Sequence, residues 1–279
     1  QPASRSGTFP GWNGEPLQVH RWCGENPSPK VVVLVHGIGG HGGQFADLAA
    51  RLVALGYDAY APDLPGHGRS PGARGWIPTW EAFPGSLGSL LDHIGAAGGC
   101  SQLPVLLGHS LGGTVAVDLA LRDPTRIRGL ILSNPATGAE GVAAWRLLVA
   151  RSLSRLWPRF ALDTGIPMEA LSRDPVALAR LAADPLRHGR CTARLGSEFL
   201  LAAERIRRHA ASLTTPLLVL QSGADTITPP DAAESFFQAV GAAEKTWRLY
   251  PQSYHELFDD LDREQVLADL VAWVEAHGG

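Results

Sequence analysis

Two hydrophobic periodicities divide this chain. Short unbroken apolar runs recur, and between them lie longer stretches in which apolar residues return every three or four positions. The run "KVVVLVHG" (30–37) stays apolar where a half-exposed strand would alternate, which predicts a strand covered on both faces. The same reading applies to "LPVLLGHS" (103–110), "RIRGLILSNPA" (126–136) and "PLLVLQSGAD" (216–225). "YDAYAPDLPG" (57–66) adds a strand and a turn, "TWRLYPQS" (246–253) a further strand, and the alternating "LQVHRW" (17–22) an early antiparallel one. In "QFADLAARLVALG" (44–56), Phe45, Leu48, Ala49, Leu52 and Leu55 share one helical face, and Gly56 supplies the C-cap. A helix over "LGGTVAVDLALRD" (111–123) is stopped by Pro124, and a last helix is predicted over 259–277. Strands alternating with helices in this way predict a mostly parallel sheet flanked by helices.

One region breaks the rhythm. Between residues 137 and 212 no convincing strand is found, and "VAAWRLLVARSLSRLW" (142–157) is strongly apolar for an excursion outside a sheet. The pattern therefore predicts a core built from 1–136 and 213–279, with a helical cap, 137–212, inserted after the sixth strand. Such a cap would cover the carboxyl ends of the strands, where open α/β sheets bind ligands. The plainer alternative is a set of ordinary packing helices.

Composition narrows the function. At 279 residues and 45% hydrophobic, the chain can bury one substantial core. A net charge of -3 argues against a nucleic-acid partner, whose recognition rests on basic surface. Lys30 and Lys245 are the only lysines, a composition bias from which no function follows. Cys23, Cys100 and Cys191 are scattered without metal-ligand spacing and read as reduced thiols of a cytoplasmic protein. Because the chain begins with Gln1 and not methionine, an exported, processed protein is the alternative. No apolar run approaches the roughly 20 residues of a membrane-spanning helix.

Candidate chemistry gathers at the predicted strand ends. "GHSLG" fits G-x-S-x-G, in which a sharp strand-to-helix turn exposes a serine hydroxyl; here that serine is Ser110. A serine needs a base, and the base an orienting acid, in the chain order Ser, Asp or Glu, His. Asp225 follows one strand and His255 the next; Asp231 is a rival acid but reads better as a charge at a helix start, as do Asp259 and Asp260. The glycine-rich "HGIGGHGG" (36–43) can turn an amide toward a developing oxyanion, most naturally that of Ile38, with the Leu111 amide as its partner. It lacks the G-x-x-x-x-G-K-[ST] phosphate-loop fingerprint. His109 is read as packing, His93 and His277 as helix residues, and His36 and His41 as lacking companion metal ligands. In "PDLPGHGRSPGARG" (62–75), Asp63 with Arg69 or Arg74 is expected to fix the loop.

With these residues in place, the chain resembles the α/β-hydrolase superfamily and, within it, the monoacylglycerol lipases and lysophospholipases. "VLVHGIGGHGGQF", "GHSLGG", "LSNPA", "SRDPVALARLAADPLRHG", "PLLVLQSGADTITPP" and "YPQSYHELFDD" carry the resemblance. It implies Ser110 as nucleophile, Asp225 as acid, His255 as base, and main-chain stabilisers at Ile38 and Leu111, with neither cofactor nor metal. It further implies a serine esterase of single-chain lipids with an acyl tunnel under the cap, for which Trp145, Leu148, Leu153 and Trp157 are candidate lining residues. Ile38 and Gly40-His41 depart from the small residue and Glu-His pair that many members carry after HG. Apolar cap surface could also touch a membrane. The alternatives are a carboxylesterase of small or xenobiotic esters, or a proline iminopeptidase-like peptidase. The latter needs cap acids for the substrate amine, and Glu140, Glu169, Glu198 and Glu204 are available. A dehalogenase or epoxide hydrolase would need aspartate in place of Ser110, and a non-catalytic binder would be expected to carry a degenerate triad.

Overall fold

The continuous apolar runs become the central strands. The computed structural model describes residues 3–26, 28–96, 102–138 and 152–277. In chain order its strands are β1 (Ala3–Pro10), β2 (Pro16–Cys23), β3 (Val31–Val35), β4 (Asp58–Pro62), β5 (Val105–His109), β6 (Gly129–Ser133), β7 (Ala161–Asp163), β8 (Arg190–Thr192), β9 (Leu217–Ser222) and β10 (Lys245–Tyr250). Eight of them form one sheet in the order β1-β2-β4-β3-β5-β6-β9-β10. From β4 through β10 the pairings are parallel, and only β1–β2 and β2–β4 are antiparallel. Every residue of β3, β5, β6 and β9 is buried, as unbroken apolar runs covered on both faces require.

Helices α1 (Ala46–Ala54) and α7 (Arg263–His277) cover one face, where Leu48, Leu52, Val266 and Leu270 pack on Val32, Leu34, Leu107 and Ile131. Helices α2 (Ala82–Ala96) and α3 (Leu111–Arg122) lie on the other face with Val33, Val35, Leu106 and Leu130. Fully burying one such Val or Leu side chain is worth about 1.5–3 kcal/mol, so these two layers hold the strand ends rigidly in place. The last helix begins at Arg263, later than the pattern suggested. Asp260 is drawn away from a helix start because its buried carboxylate accepts the Tyr254 and Leu261 amides and the Arg173 guanidinium.

Between β6 and β9 the chain leaves the sheet. Here the expectation of an all-helical segment needs correction: β7 and β8 form an antiparallel ribbon, pairing Leu162 with Cys191. Strands of three residues are too short to leave a periodic signal. Helix α4 (Pro175–Ala183) starts where the Asp174 side chain accepts the Val176 amide, and α5 (Ala193–Arg208) where Thr192 accepts the Leu195 amide. Helix α5 buries Leu195, Ala202 and Ile206 in the core that α2 and α3 share. Its Arg205 grips Asp118 of α3 at 2.9 and 3.0 Å, and Asp118 also accepts the Trp80 indole N–H at 2.9 Å. By packing, α5 belongs with the sheet layer. The helix α6 (Pro230–Ala239) then follows β9, with Asp231 in its first turn as anticipated. Among the described residues no helix is long and apolar enough to cross a membrane.

Candidate active site

The parallel strands deliver the candidate residues to one edge of the sheet. Ser110 follows β5 with φ 52° and ψ -121°, a left-handed conformation for a residue with a side chain. Gly108 and Gly112 make that turn possible: a Cβ on Gly112 would overlap the Val35 and His36 carbonyl oxygens, and one on Gly108 the Gly112 carbonyl. Ser110 is pinned by its own N–H donating to the Ser133 carbonyl at 3.0 Å and by its carbonyl accepting the Gly113 and Ala136 amides at 2.9 and 3.1 Å. The Leu111 amide is the first of α3, a position at which a helix N–H has no intrahelical acceptor.

Asp225 and His255 come together after β9 and β10. His255 Nδ1 lies 2.7 Å from Asp225 Oδ2. The Thr228 hydroxyl sits 2.7 Å from the same oxygen and 3.3 Å from His255 Nδ1, while Asp225 Oδ1 accepts the Ile227 and Thr228 amides. Burial alone would raise the Asp225 carboxyl, but these hydrogen bonds, that of His255 foremost, hold it below its ordinary value. An ionised Asp225 keeps the proton of the neutral imidazole on Nδ1 and leaves Nε2 basic.

Two cavities meet at Ser110. One, of about 220 Å³, has a mixed lining in which His109, His255, Glu256, Asp184 and Arg187 face Ile166, Met168, Leu171 and Leu181. The second, of about 570 Å³, is lined largely by apolar groups, including Leu111, Ile166, Cys191, Leu195, Phe199 and Ile227. Ile38, Ser110 and Ile166 belong to both walls. Of the anticipated tunnel residues, Trp145 and Leu148 lie outside the described residues. Leu153 is half-buried and Trp157 is 61% exposed, and neither is among the lining residues. Within 137–212 the described apolar lining of the second cavity comes instead from 166 and from 191–200.

Several members of this neighbourhood were not legible in advance. His109 does more than pack: its Nε2 lies 3.3 Å from Glu256 Oε2, and its Nδ1 3.1 Å from the Ser133 carbonyl. Burial would depress the imidazole, but the Glu256 carboxylate outweighs it and raises His109. Glu256 is likewise pushed up by burial and pulled well below the carboxylate range by His109 and Arg187. The loop carrying His255 is also tied to the inserted segment, the Glu256 amide donating to the Leu171 carbonyl at 2.7 Å.

The glycine-rich loop after β3 is held from the same side. Gly39 has φ +70°, and a Cβ there would overlap the His188 carbonyl; the His188 amide donates to the Gly39 carbonyl at 3.0 Å. His20, His41 and Asp63 bring ligand atoms within 4.8 Å of one another, a carboxylate beside His41 that the spacing did not reveal. Their capacity is already used. Asp63 accepts the Gly42 and Arg69 amides, both at 2.7 Å, and pairs with His20 at 3.2 Å. Burial would raise Asp63, yet the His20 and Arg69 contacts bring it down to about 2. His41 Nδ1 accepts the Gly43 amide and Nε2 faces Asp184 at 2.7 Å. Asp63 thus fixes its loop through His20 and the Gly42 and Arg69 amides, while Arg74 donates to the Gly68 and Ser70 carbonyls.

The geometry can be set beside known proteins. The profile of the family described as serine aminopeptidase, S33, matches residues 26–262. The monoacylglycerol lipase of Mycolicibacterium smegmatis is 32% identical over 273 residues, covering 97% of this chain and 96% of that protein. The monoglyceride lipase of Homo sapiens is 31% identical over 258 residues, covering 88% and 83%. The crystal structure of Paleococcus ferrophilus monoacylglycerol lipase superimposes with a TM-score of 0.86 at 33% identity, covering 94% of this chain and 99% of that one.

Proposed function

The chain belongs to the serine aminopeptidase S33 family of α/β-hydrolases, and on that premise we propose that it is a carboxylic ester hydrolase of single-chain lipids, monoacylglycerols foremost, acting through an acyl-enzyme on Ser110. The observation that carries this reading is the meeting, at a single serine, of a large apolar cavity and a smaller mixed one that holds the charged side chains. A fatty acyl chain fits the apolar side and an uncharged polyol the polar side. The polar part of this wall supports a neutral leaving group because its carboxylates are already engaged, Glu256 by His109 and Arg187, Asp184 by His41.

In this mechanism His255 Nε2 takes the Ser110 proton as Oγ attacks the ester carbonyl, and Asp225 holds the imidazole tautomer. The Leu111 and Ile38 amides receive the oxyanion, each donor of this kind being worth about 10²–10³ in rate. His255 protonates the departing alcohol and then activates water to release the fatty acid. The inserted segment acts as a cap that supplies one wall of each cavity.

A peptidase of the same family would need an acid for the substrate amine. Glu198 is engaged by the Trp80 amide and Arg194, and Glu204 by Arg208; with Glu169 they are absent from both sets of described lining residues, and Glu140 lies outside the described residues. The acids that do line the cavities are Asp184 and Glu256, engaged by His41, His109 and Arg187, and Asp231 in the first turn of α6; the ester reading is favoured by the largely apolar lining of the larger cavity.

The test is fatty-acid release from medium- and long-chain monoacylglycerols, with di- and triacylglycerols in parallel and Ser110→Ala as blank. Preference for monoacyl lipids, abolished by Ser110→Ala without loss of fold, is the expected outcome. Rapid cleavage of short p-nitrophenyl esters with no lipid turnover would keep the serine and discard the lipid.

A further inference from the structure

Among the described residues only two that are not glycine have positive φ: Ser110 and Asn134, at 43°. Asparagine enters that region more readily than most residues, but glycine enters it without strain. The side chain must therefore account for asparagine here. Asn134 is fully buried at the end of β6, and both ends of its amide are used. Oδ1 accepts the Ser222 N–H at 2.7 Å; Nδ2 donates to the His255 carbonyl at 2.6 Å and reaches Ser222 Oγ at 2.9 Å. The Ser222 hydroxyl in turn donates to the Tyr254 carbonyl at 2.6 Å. On the main chain, the Asn134 carbonyl lies 3.1 Å from the Thr228 hydroxyl, the group that also touches Asp225 and His255.

We infer that Asn134 is a positioning residue that holds the His255 loop, and with it the imidazole, in register with Asp225 and Ser110. The inference rests on the ester-hydrolase reading of the site. One residue joins three separate chain segments: the β10 loop through His255 and Tyr254, the β9 loop through Ser222 and Thr228, and the nucleophile turn through its neighbours. Ser133 accepts the Ser110 amide and the Ala136 amide donates to the Ser110 carbonyl. The other main-chain contacts of His255 are longer, its own N–H toward the Ala170 carbonyl at 3.4 Å and the Leu257 N–H toward its carbonyl at 3.1 Å, so the Asn134 amide at 2.6 Å is the tightest hold. The role requires a donor and an acceptor on one short side chain. Aspartate would turn an oxygen toward the His255 carbonyl, and glycine would strip that carbonyl of its shorter hydrogen bond, leaving the Leu257 N–H alone, and would remove the acceptor of the Ser222 amide.

The experiment compares wild type, Asn134→Gly, Ser222→Ala and Leu270→Ala, the last a fully buried α7 residue on the far face that serves as a stability control. Turnover of a monoacylglycerol, the rate of fluorophosphonate labelling and the downfield proton resonance of the His255 Nδ1–Asp225 hydrogen bond are read for each. Asn134→Gly keeps the backbone free to adopt its φ. It should lower kcat about 10²-fold with KM within a few-fold, since a displacement of about 1 Å at a reacting centre costs that much. Labelling should slow in proportion, and the downfield resonance should shift or broaden. Ser222→Ala should reproduce these effects in milder form, and it carries the test if Asn134→Gly does not fold. Leu270→Ala should lower Tm and leave all three readouts at wild-type values.

Folded variants with wild-type kcat and an unchanged resonance would overturn the inference. A wild type inert to esters and fluorophosphonate would sink the hydrolase reading instead. The resonance needs no substrate, so it judges Asn134 separately.

Discussion

The two cavities that meet at Ser110 are built by opposite means. The apolar one is walled by side chains whose only requirement is volume, among them Leu195, Phe199 and Ile227. The polar one is walled by groups that fix one another: His109 with Glu256, Glu256 with Arg187, Asp184 with His41. Shape on the apolar side can be varied with local consequences, because apolar contacts are non-directional and add by area. On the polar side each group is another's partner, so a single change leaves a buried charge uncompensated. Chain-length preference should therefore be easy to alter, and the leaving-group side should answer mutation with lost stability.

The largest expected effect abolishes the distinction. Asp225→Asn removes the acceptor that keeps the His255 proton on Nδ1, and it should lower kcat about 10⁴-fold for every ester regardless of chain or alcohol. Measuring kcat on a short ester and a long monoacylglycerol checks this; unequal losses would mean that Asp225 serves one cavity and not the chemistry. A smaller, one-sided effect is expected at Gly196. A Cβ there would meet only Cys191 Sγ, at 3.7 Å, so a larger side chain can grow from α5 along the apolar wall. Gly196→Phe should displace roughly three methylenes of acyl chain, at about 0.8 kcal/mol each, and so cut kcat/KM for long chains roughly fifty-fold. Octanoyl esters should be cleaved at near the wild-type rate. Replacing a helical glycine should leave Tm equal or higher.

The contrast also explains what the sequence disclosed. The parallel sheet, the turn at Ser110 and the strand-end positions of Asp225 and His255 follow from local rules: apolar runs, G-x-S-x-G and chain order. Asn134 and Thr228 obey no such rule, because their roles come from partners 88 to 121 positions away along the chain for Asn134 and from a hydroxyl that faces two loops at once. His109 could be seen beside Ser110, but its charge depends on Glu256, which lies next to His255 and reaches it only through the fold. Trp157 shows the converse failure. An aromatic residue in an apolar stretch suggested a tunnel wall, yet it faces solvent, its ring 5.0 Å from that of Phe160 and tilted by 42°. Composition gives the amount of apolar surface and leaves its direction open.

The smallest and most specific test lies on the polar side. Glu256→Gln keeps the shape of the wall and removes the charge that raises His109 and pairs with Arg187. In the wild type His109 is raised above its ordinary value of 6.5. Its protonated form therefore stabilises the fold fully below pH 6.5, and that contribution is lost as pH rises through the raised value. Glu256 acts in the opposite sense: depressed below its ordinary 4.5, it contributes above that pH and is lost only in stronger acid. In Glu256→Gln the main influence that raises His109 is gone, leaving only Asp225 and the Ser133 carbonyl to oppose burial, so charging the imidazole below pH 6.5 no longer adds its wild-type share of stability. The Tm deficit of the variant should thus be largest near pH 5–6, several degrees at about 2–4 °C per kcal/mol, and should narrow as pH rises and the wild-type His109 loses its proton. A pH series of thermal melts on both proteins measures it. A deficit that is constant with pH would mean that Glu256 works through Arg187 alone, and that the neighbour of the nucleophile is neutral.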